Sequence, residues 1–226
     1  MLKVHEGLRN ARKFFSHENA STYDYVVRFT TFGQDSLWKN QILNIIGKQN
    51  SVLDLACGTG ILSLMLIDSA IIKVSGLDLV FDYLEIAKKK TKRLFLTNGT
   101  AEILPYKNEC FDSVTSSYLA KYVDIERVVN ECWRILKHDG IVVFHDFTYP
   151  TNNLMESFWN AYFMILRITG IFVKSWKAVF QELDQVVKTS RWVEQTIGSL
   201  EHRGFEVISC KYYTLGTAAI ISAKKP

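Results

Sequence analysis

The stretch Ser51-Val-Leu-Asp-Leu-Ala-Cys-Gly-Thr-Gly60 constrains this chain more than any other, because it reads as a buried strand running into a glycine-rich turn, and an apolar helix follows from Ile61 to Ala70. Further short β-branched runs recur at Lys73 to Asp78, Arg93 to Asn98, Asp112 to Ser117 and Ile141 to Phe147. Helix-like stretches at Asp82 to Lys90 and Glu126 to Lys137 fall between them. Each parallel strand pair needs a crossover connection, so strict alternation of strand and helix predicts a doubly wound parallel sheet with helices on both faces.

The pattern changes after Pro150. A long aromatic segment runs from Leu154 to Phe180, a helix lies near Arg191 to His202, and two closing strands occupy Glu206 to Tyr213 and Thr217 to Ala223. Leu215-Gly216 offers a hairpin between those strands, which predicts an antiparallel edge on the sheet and a total of seven strands. The N-terminal region reads as a helical lead-in, with Leu37, Trp38, Ile42, Ile45 and Ile46 near one face and Gly47 as its C-cap. At 226 residues the chain suits one domain. Its parts are a lead-in (1–48), a ligand-binding half (49–149), an insertion (150–190) and a closing helix with strands (191–226).

Composition narrows the function classes. A charge of +4 from 27 basic and 23 acidic residues is too small and too dispersed to mark a nucleic-acid binder. The dense run Lys88 to Arg93 follows an apparent helix, where positive charge suits the C-terminal end of the dipole. Four cysteines without a C-x-x-C pair, in a chain without a secretory leader, predict reduced thiols in a cytoplasmic protein and no structural zinc. Charges interrupt Leu154 to Phe180, so no transmembrane segment is expected.

Glycines 58 and 60 let the backbone approach a ligand closely. Asp78 follows at the end of the second strand, where a carboxylate can accept both hydroxyl hydrogens of a ribose, so a nucleoside cofactor is implied. A dinucleotide fingerprint would require a third glycine at Ser63. Asp54 suits a cofactor with a cationic amino-acid tail and would oppose a pyrophosphate.

Val52-Leu-Asp-Leu-Ala-Cys-Gly-Thr-Gly60 resembles the first motif of class I S-adenosylmethionine-dependent methyltransferases. Gly76-Leu-Asp78, Ala101 to Tyr106, Phe111 to Val114 and Trp133 to Gly140 resemble the later motifs in order. Tyr23-Asp24, Phe32-Gly33, Trp38 and the tail Leu215 to Lys225 are similar to the ubiquinone and menaquinone biosynthesis C-methyltransferases. The resemblance implies a Rossmann-like α/β fold with a seven-stranded, mostly parallel sheet whose last strand is antiparallel. It implies S-adenosyl-L-methionine as cofactor, held by Asp54, Ala56, Gly58, Gly60, Asp78, Leu79, Ala101, Glu102 and Ser117, and a lipophilic acceptor such as a prenylated quinol.

Where that family carries an asparagine after its Tyr-Asp signature this chain has Val27, and its loop Arg-Asn pair is replaced by Lys121-Tyr122. Another small phenol, acid or amine therefore stays open as acceptor, as does a binding module without turnover. No Asn-Pro-Pro-aromatic tetrapeptide is present to suit methylation of nucleic-acid bases. A quinol carbon becomes nucleophilic when its hydroxyl is deprotonated, so a cation or base is expected beside it. The candidates are Lys121 as cation, Tyr23 in the pocket wall and His145 as base, with surface, core and buried-histidine roles as their bland alternatives. The aromatic segment is either ordinary helix packing or the lining of a greasy channel that could rest on a membrane.

Overall fold

The computed structural model describes residues 9–69 and 71–226. The start of the lead-in, and with it the reading of a chain without a leader, lies outside the described residues. The strands are β1 (Ser51–Leu55), β2 (Lys73–Asp78), β3 (Leu94–Asn98), β4 (Phe111–Ser117), β5 (Leu136–Phe147), β6 (Glu206–Tyr213) and β7 (Ala218–Lys224). They form one sheet in the order β3-β2-β1-β4-β5-β7-β6. The pairs from β3 through to β5 are parallel, and β7 is antiparallel to both of its neighbours. The antiparallel strand is thus the last one in sequence but not the edge. Because β7 turns back between β5 and β6, the edge strand β6 again runs parallel to β1–β5.

The helices are α1 (His17–Ala20), α2 (Tyr23–Thr30), α3 (Gln34–Ile46), α4 (Ile61–Asp68), α5 (Phe81–Lys90), α6 (Ile125–Ile135), α7 (Asn153–Phe172), α8 (Lys177–Thr189) and α9 (Trp192–Arg203). Side chains alternate along a strand, so β1, β2, β5 and β7 each feed two cores. Val52, Val74, Val143 and Ile220 pack with Ile42, Ile46, Leu62 and Leu66 of α3 and α4 on one face. Leu53, Leu77, Val142 and Phe144 pack with Val128, Cys132 and Leu200 of α6 and α9 on the other.

Local chemistry sets the ends of these elements. The α3 helix stops at Gly47, whose φ of 65° is left-handed and whose N–H reaches the Leu43 carbonyl. Asp124 caps α6 by accepting from the Arg127 N–H at 3.3 Å, and Asn152 caps α7 by accepting from the Leu154 N–H at 3.0 Å. Two expectations need correction. Leu37 is exposed on α3 rather than buried with Trp38. Residues 136 to 140 belong to β5, with Asp139 at a positive φ in an irregular stretch where the register to β4 shifts.

Candidate functional site

Ligands of open parallel sheets lie beyond the carboxyl ends of the strands, where neighbouring connections diverge to opposite faces. Here that point lies between β1 and β4, whose helices α4 and α6 cover different faces. A cleft of about 740 Å³ opens there. Its floor is the turn after β1. Ala56 and Gly58 have φ values of 54° and 56°, and the Gly58 N–H donates to Asp78 Oδ2 at 2.8 Å. Asp78 Oδ1 accepts from the Val80 N–H at 2.8 Å. Burial pushes the Asp78 carboxyl up, while the N–H groups of Val80, Gly58 and Leu79 pull it back. Each oxygen retains acceptor capacity for a ligand hydroxyl.

Seven of the expected cofactor residues line this cleft: Ala56, Gly58, Asp78, Leu79, Ala101, Glu102 and Ser117. Its charged side chains among the described residues, Asp78 and Glu102, are both acidic, which fits a ligand carrying ammonium and sulfonium charges. S-Adenosyl-L-methionine therefore fits the residues present.

Asp54 and Gly60 do not line the cleft. Asp54 is buried under the turn, where its Oδ2 accepts from Ser63 Oγ at 2.6 Å, and burial raises its pKa to about 7. It braces the start of α4. Gly60 has a φ of 84°, and a Cβ there would stand 3.3 Å from the Ala87 Cβ, so its lack of a side chain serves the contact between α4 and α5.

The fold adds groups that spacing did not indicate. Thr59 Oγ1 and Lys90 Nζ both donate to the Asp24 carboxylate, and Lys90 Nζ also reaches the Thr59 carbonyl at 2.8 Å. The lead-in is thereby tied to the glycine turn, which gives the Tyr23-Asp24 dipeptide a purpose the sequence had only marked. Tyr83 also lines the cleft, and its hydroxyl donates to Asn19 Oδ1 at 2.7 Å.

A second, largely apolar cavity adjoins the cleft, a space of about 1300 Å³ that is partly open to solvent. Phe15, Tyr23, Tyr118 and Tyr122 line both spaces. Tyr162, Leu166, Trp176 and Phe180 of the insertion form much of its wall, as does Val27. Phe158 lines this cavity too, although it is largely exposed, whereas Leu154, Ile165 and Phe172 are exposed and do not line it, so the stripe is not ordinary core packing.

Lys121 neither projects into water nor stands as a free cation. It is buried in an ion pair with Asp146, and its Nζ lies 4.5 Å from the centre of the Tyr122 ring. Burial lowers its pKa while Asp146 raises it. Lys121 is nevertheless the one charged residue lining the large cavity among the described residues. Tyr122, also on the shared wall, has a buried hydroxyl without a partner among the described residues. Tyr118 stacks on Phe147 at 4.8 Å and donates its hydroxyl to Asp35 Oδ1 at 2.7 Å. Asp35 is held in turn by Lys39.

His145 lines neither space. Its Nδ1 lies 2.8 Å from Ser117 Oγ, its Nε2 has no partner among the described residues, and burial holds its pKa well below the usual value. Successive residues of β5 face opposite sides, so Asp146 turns to Lys121 while His145 packs between Trp38 and Tyr118.

The sequence profile of the ubiE/COQ5 methyltransferase family matches residues 5–225. A ubiquinone/menaquinone biosynthesis C-methyltransferase of Campylobacter jejuni is 26% identical over 91% of this chain and 94% of its own length. A demethylmenaquinone methyltransferase of Thermotoga maritima is 30% identical over 83% of this chain and 85% of its own length. Among solved structures, a geranyl diphosphate C-methyltransferase from Streptomyces coelicolor, crystallised with S-adenosyl-L-homocysteine, superimposes with a TM-score of 0.62 at 12% identity. That likeness covers 84% of this chain and 78% of the other.

Two outcomes separate the carboxylates. Asp78→Ala should weaken S-adenosylhomocysteine binding about five- to 150-fold by calorimetry, whereas Asp54→Asn should leave it within about threefold. Asp54 should instead show in stability. Its folded pKa of about 7 lies above the unfolded carboxyl value of about 3.9, so between those values the folded state binds the extra proton. Stability should fall as pH rises through that window, with a slope of on the order of 1 kcal/mol per pH unit. Urea titrations across the window should find that slope reduced in Asp54→Asn and the variant more stable than the parent at pH 8; equal slopes would remove Asp54 as its source.

Proposed function

The chain belongs to the ubiE/COQ5 methyltransferase family and uses S-adenosyl-L-methionine, and on that premise we propose that it methylates a ring carbon of a prenylated quinol. The observation that carries this reading is the large apolar cavity sharing a tyrosine wall with the cofactor cleft. A ring seated at that wall would have room behind it for an apolar tail. The names of the Campylobacter and Thermotoga relatives point to the same acceptor class.

The cofactor supplies an electrophilic methyl on a sulfonium sulfur. The protein's task is alignment and exclusion of water, because in-line displacement needs the donor and acceptor atoms held close and on axis. Asp78, the turn at Ala56 to Gly58 and Tyr83 would fix the nucleoside end. Tyr23 and Tyr118 would bound the acceptor ring. The quinol hydroxyl would first release its proton to solvent and leave negative charge on the oxygen; the ring carbon would then take the methyl as the methyl–sulfur bond breaks to leave S-adenosylhomocysteine, and would lose its own hydrogen as a proton, with one proton returning to the oxygen. Lys121, which lines the cavity, would stabilise that oxygen, with Asp146 holding the ammonium in position, and the Tyr122 hydroxyl would donate to it. Together they would do the work of the Arg-Asn pair that the sequence lacks.

Incubation with isotope-labelled S-adenosylmethionine and a reduced demethylmenaquinone should yield a ring-methylated product by mass spectrometry. Transfer only to water-soluble phenols or amines would overturn the acceptor. The double variant Lys121→Met/Asp146→Asn, which leaves no buried charge unpaired, should lower turnover about ten- to a thousandfold with S-adenosylhomocysteine affinity nearly intact. Turnover within twofold of the parent's would take Lys121 out of the mechanism.

A further inference from the structure

Helix α7 is apolar on two opposite sides. Trp159, Phe163, Leu166 and Gly170 turn inward, onto the cavity and α8. The opposite stripe of Leu154, Phe158, Ile165, Ile168 and Phe172 follows helical spacing and leaves between 54% and 81% of each residue exposed. At 20 residues the helix extends this stripe over about 30 Å. Proteins that stay alone in water rarely leave so long an apolar face uncovered.

Other elements expose large apolar side chains as well. Phe32 is 79% exposed, and its ring lies 5.8 Å from that of Tyr162 on α7. Leu215, at the tip of the turn between β6 and β7, is 73% exposed. Phe32, Phe158 and Leu215 all line the large cavity as well. Phe158 therefore joins the lining of the cavity to the exposed stripe.

Charge identifies what covers it. No acidic residue occurs from 157 to 180 or from 25 to 34. The same segments present Arg28, Lys174 and Lys177, which are exposed and form no ion pair among the described residues. The acids next to this region are engaged: Glu156 accepts from Tyr149, and buried Asp184 holds Arg167 and Lys188. A second copy placed on this face would set basic residues against basic residues. An anionic lipid surface supplies both the apolar phase and the opposite charge. Among the described residues no helix is long and apolar enough to cross a membrane, so α7 can lie along such a surface but not through it.

We propose that this face docks on an anionic bilayer, with α7 in the interfacial plane and the cavity mouth turned toward the lipid. The use of that mouth as an acceptor entrance rests on the proposed function; adsorption does not, and is measured without cofactor or acceptor. In vesicle flotation the protein should partition onto phosphatidylglycerol-containing vesicles at least about tenfold better than onto pure phosphatidylcholine, and less well at high salt. Ile165→Ser/Ile168→Ser/Phe172→Ser and, separately, Lys174→Glu/Lys177→Glu should each reduce partitioning at least about tenfold. None of these residues lines either cavity, so S-adenosylhomocysteine affinity should stay unchanged. If the apolar variant fails to fold, the lysine variant decides. No flotation on either vesicle, equal flotation on both, or a dimer in sedimentation that the apolar substitutions dissociate would each overturn the proposal, the last by making a second copy the occupant.

Discussion

The bond from the Gly58 N–H to the Asp78 carboxylate organises the site. It joins the turn after β1 to the end of β2, and the Cys57 N–H reaching the Leu77 carbonyl at 3.0 Å seconds it. Asn98 completes the cross-link from β3, its side chain donating to the carbonyls of Asp78 and Leu79. Three adjacent loops are thus held by polar contacts in a place the cores do not reach. The carboxylate that would meet the ligand's hydroxyls is fixed before any ligand arrives, which reduces the ordering cost of binding.

Around Tyr118 the protein pays a different cost. Two ion pairs, Asp35 with Lys39 and Asp146 with Lys121, are both almost fully removed from water. Buried pairs seldom add net stability, but removing one partner is expensive because it strands the other charge. Tyr118 lies against both lysines, at 4.9 Å and 5.6 Å from its ring centre, and has a φ of 68° that few side chains adopt. The wall between the two cavities is therefore braced by two buried ion pairs.

The legible part of the site was its local part. A strand, a glycine turn and an acid at the next strand's end are contiguous signals, and Ala56, Gly58 and Asp78 do meet at the cleft. Asp54 and Gly60 belong to the same motif but face away from it, because spacing does not say which side of a turn a residue presents. Lys121 read as either a solvated lysine or a free cation, since its partner lies 25 residues away in sequence and on another strand. Asp24 was visible only as half of a dipeptide signature; its bonds to Thr59 and Lys90 span 35 and 66 residues. On α7 the helical period was plain, but a period cannot show whether its two apolar sides are covered or bare.

The position of β7 carries a consequence for synthesis. The strand that completes the sheet is the last to be made, and β6, made before it, hydrogen-bonds to β7 alone. Until β7 emerges, β5 offers an open edge of backbone donors and acceptors, and β6 has nowhere to attach. An exposed edge of that kind is where nascent chains join one another instead of closing on themselves. A chain that has paired β1 to β5 but lacks residues 218–224 keeps that edge bare, so the exposure to aggregation lasts until β7 joins the sheet.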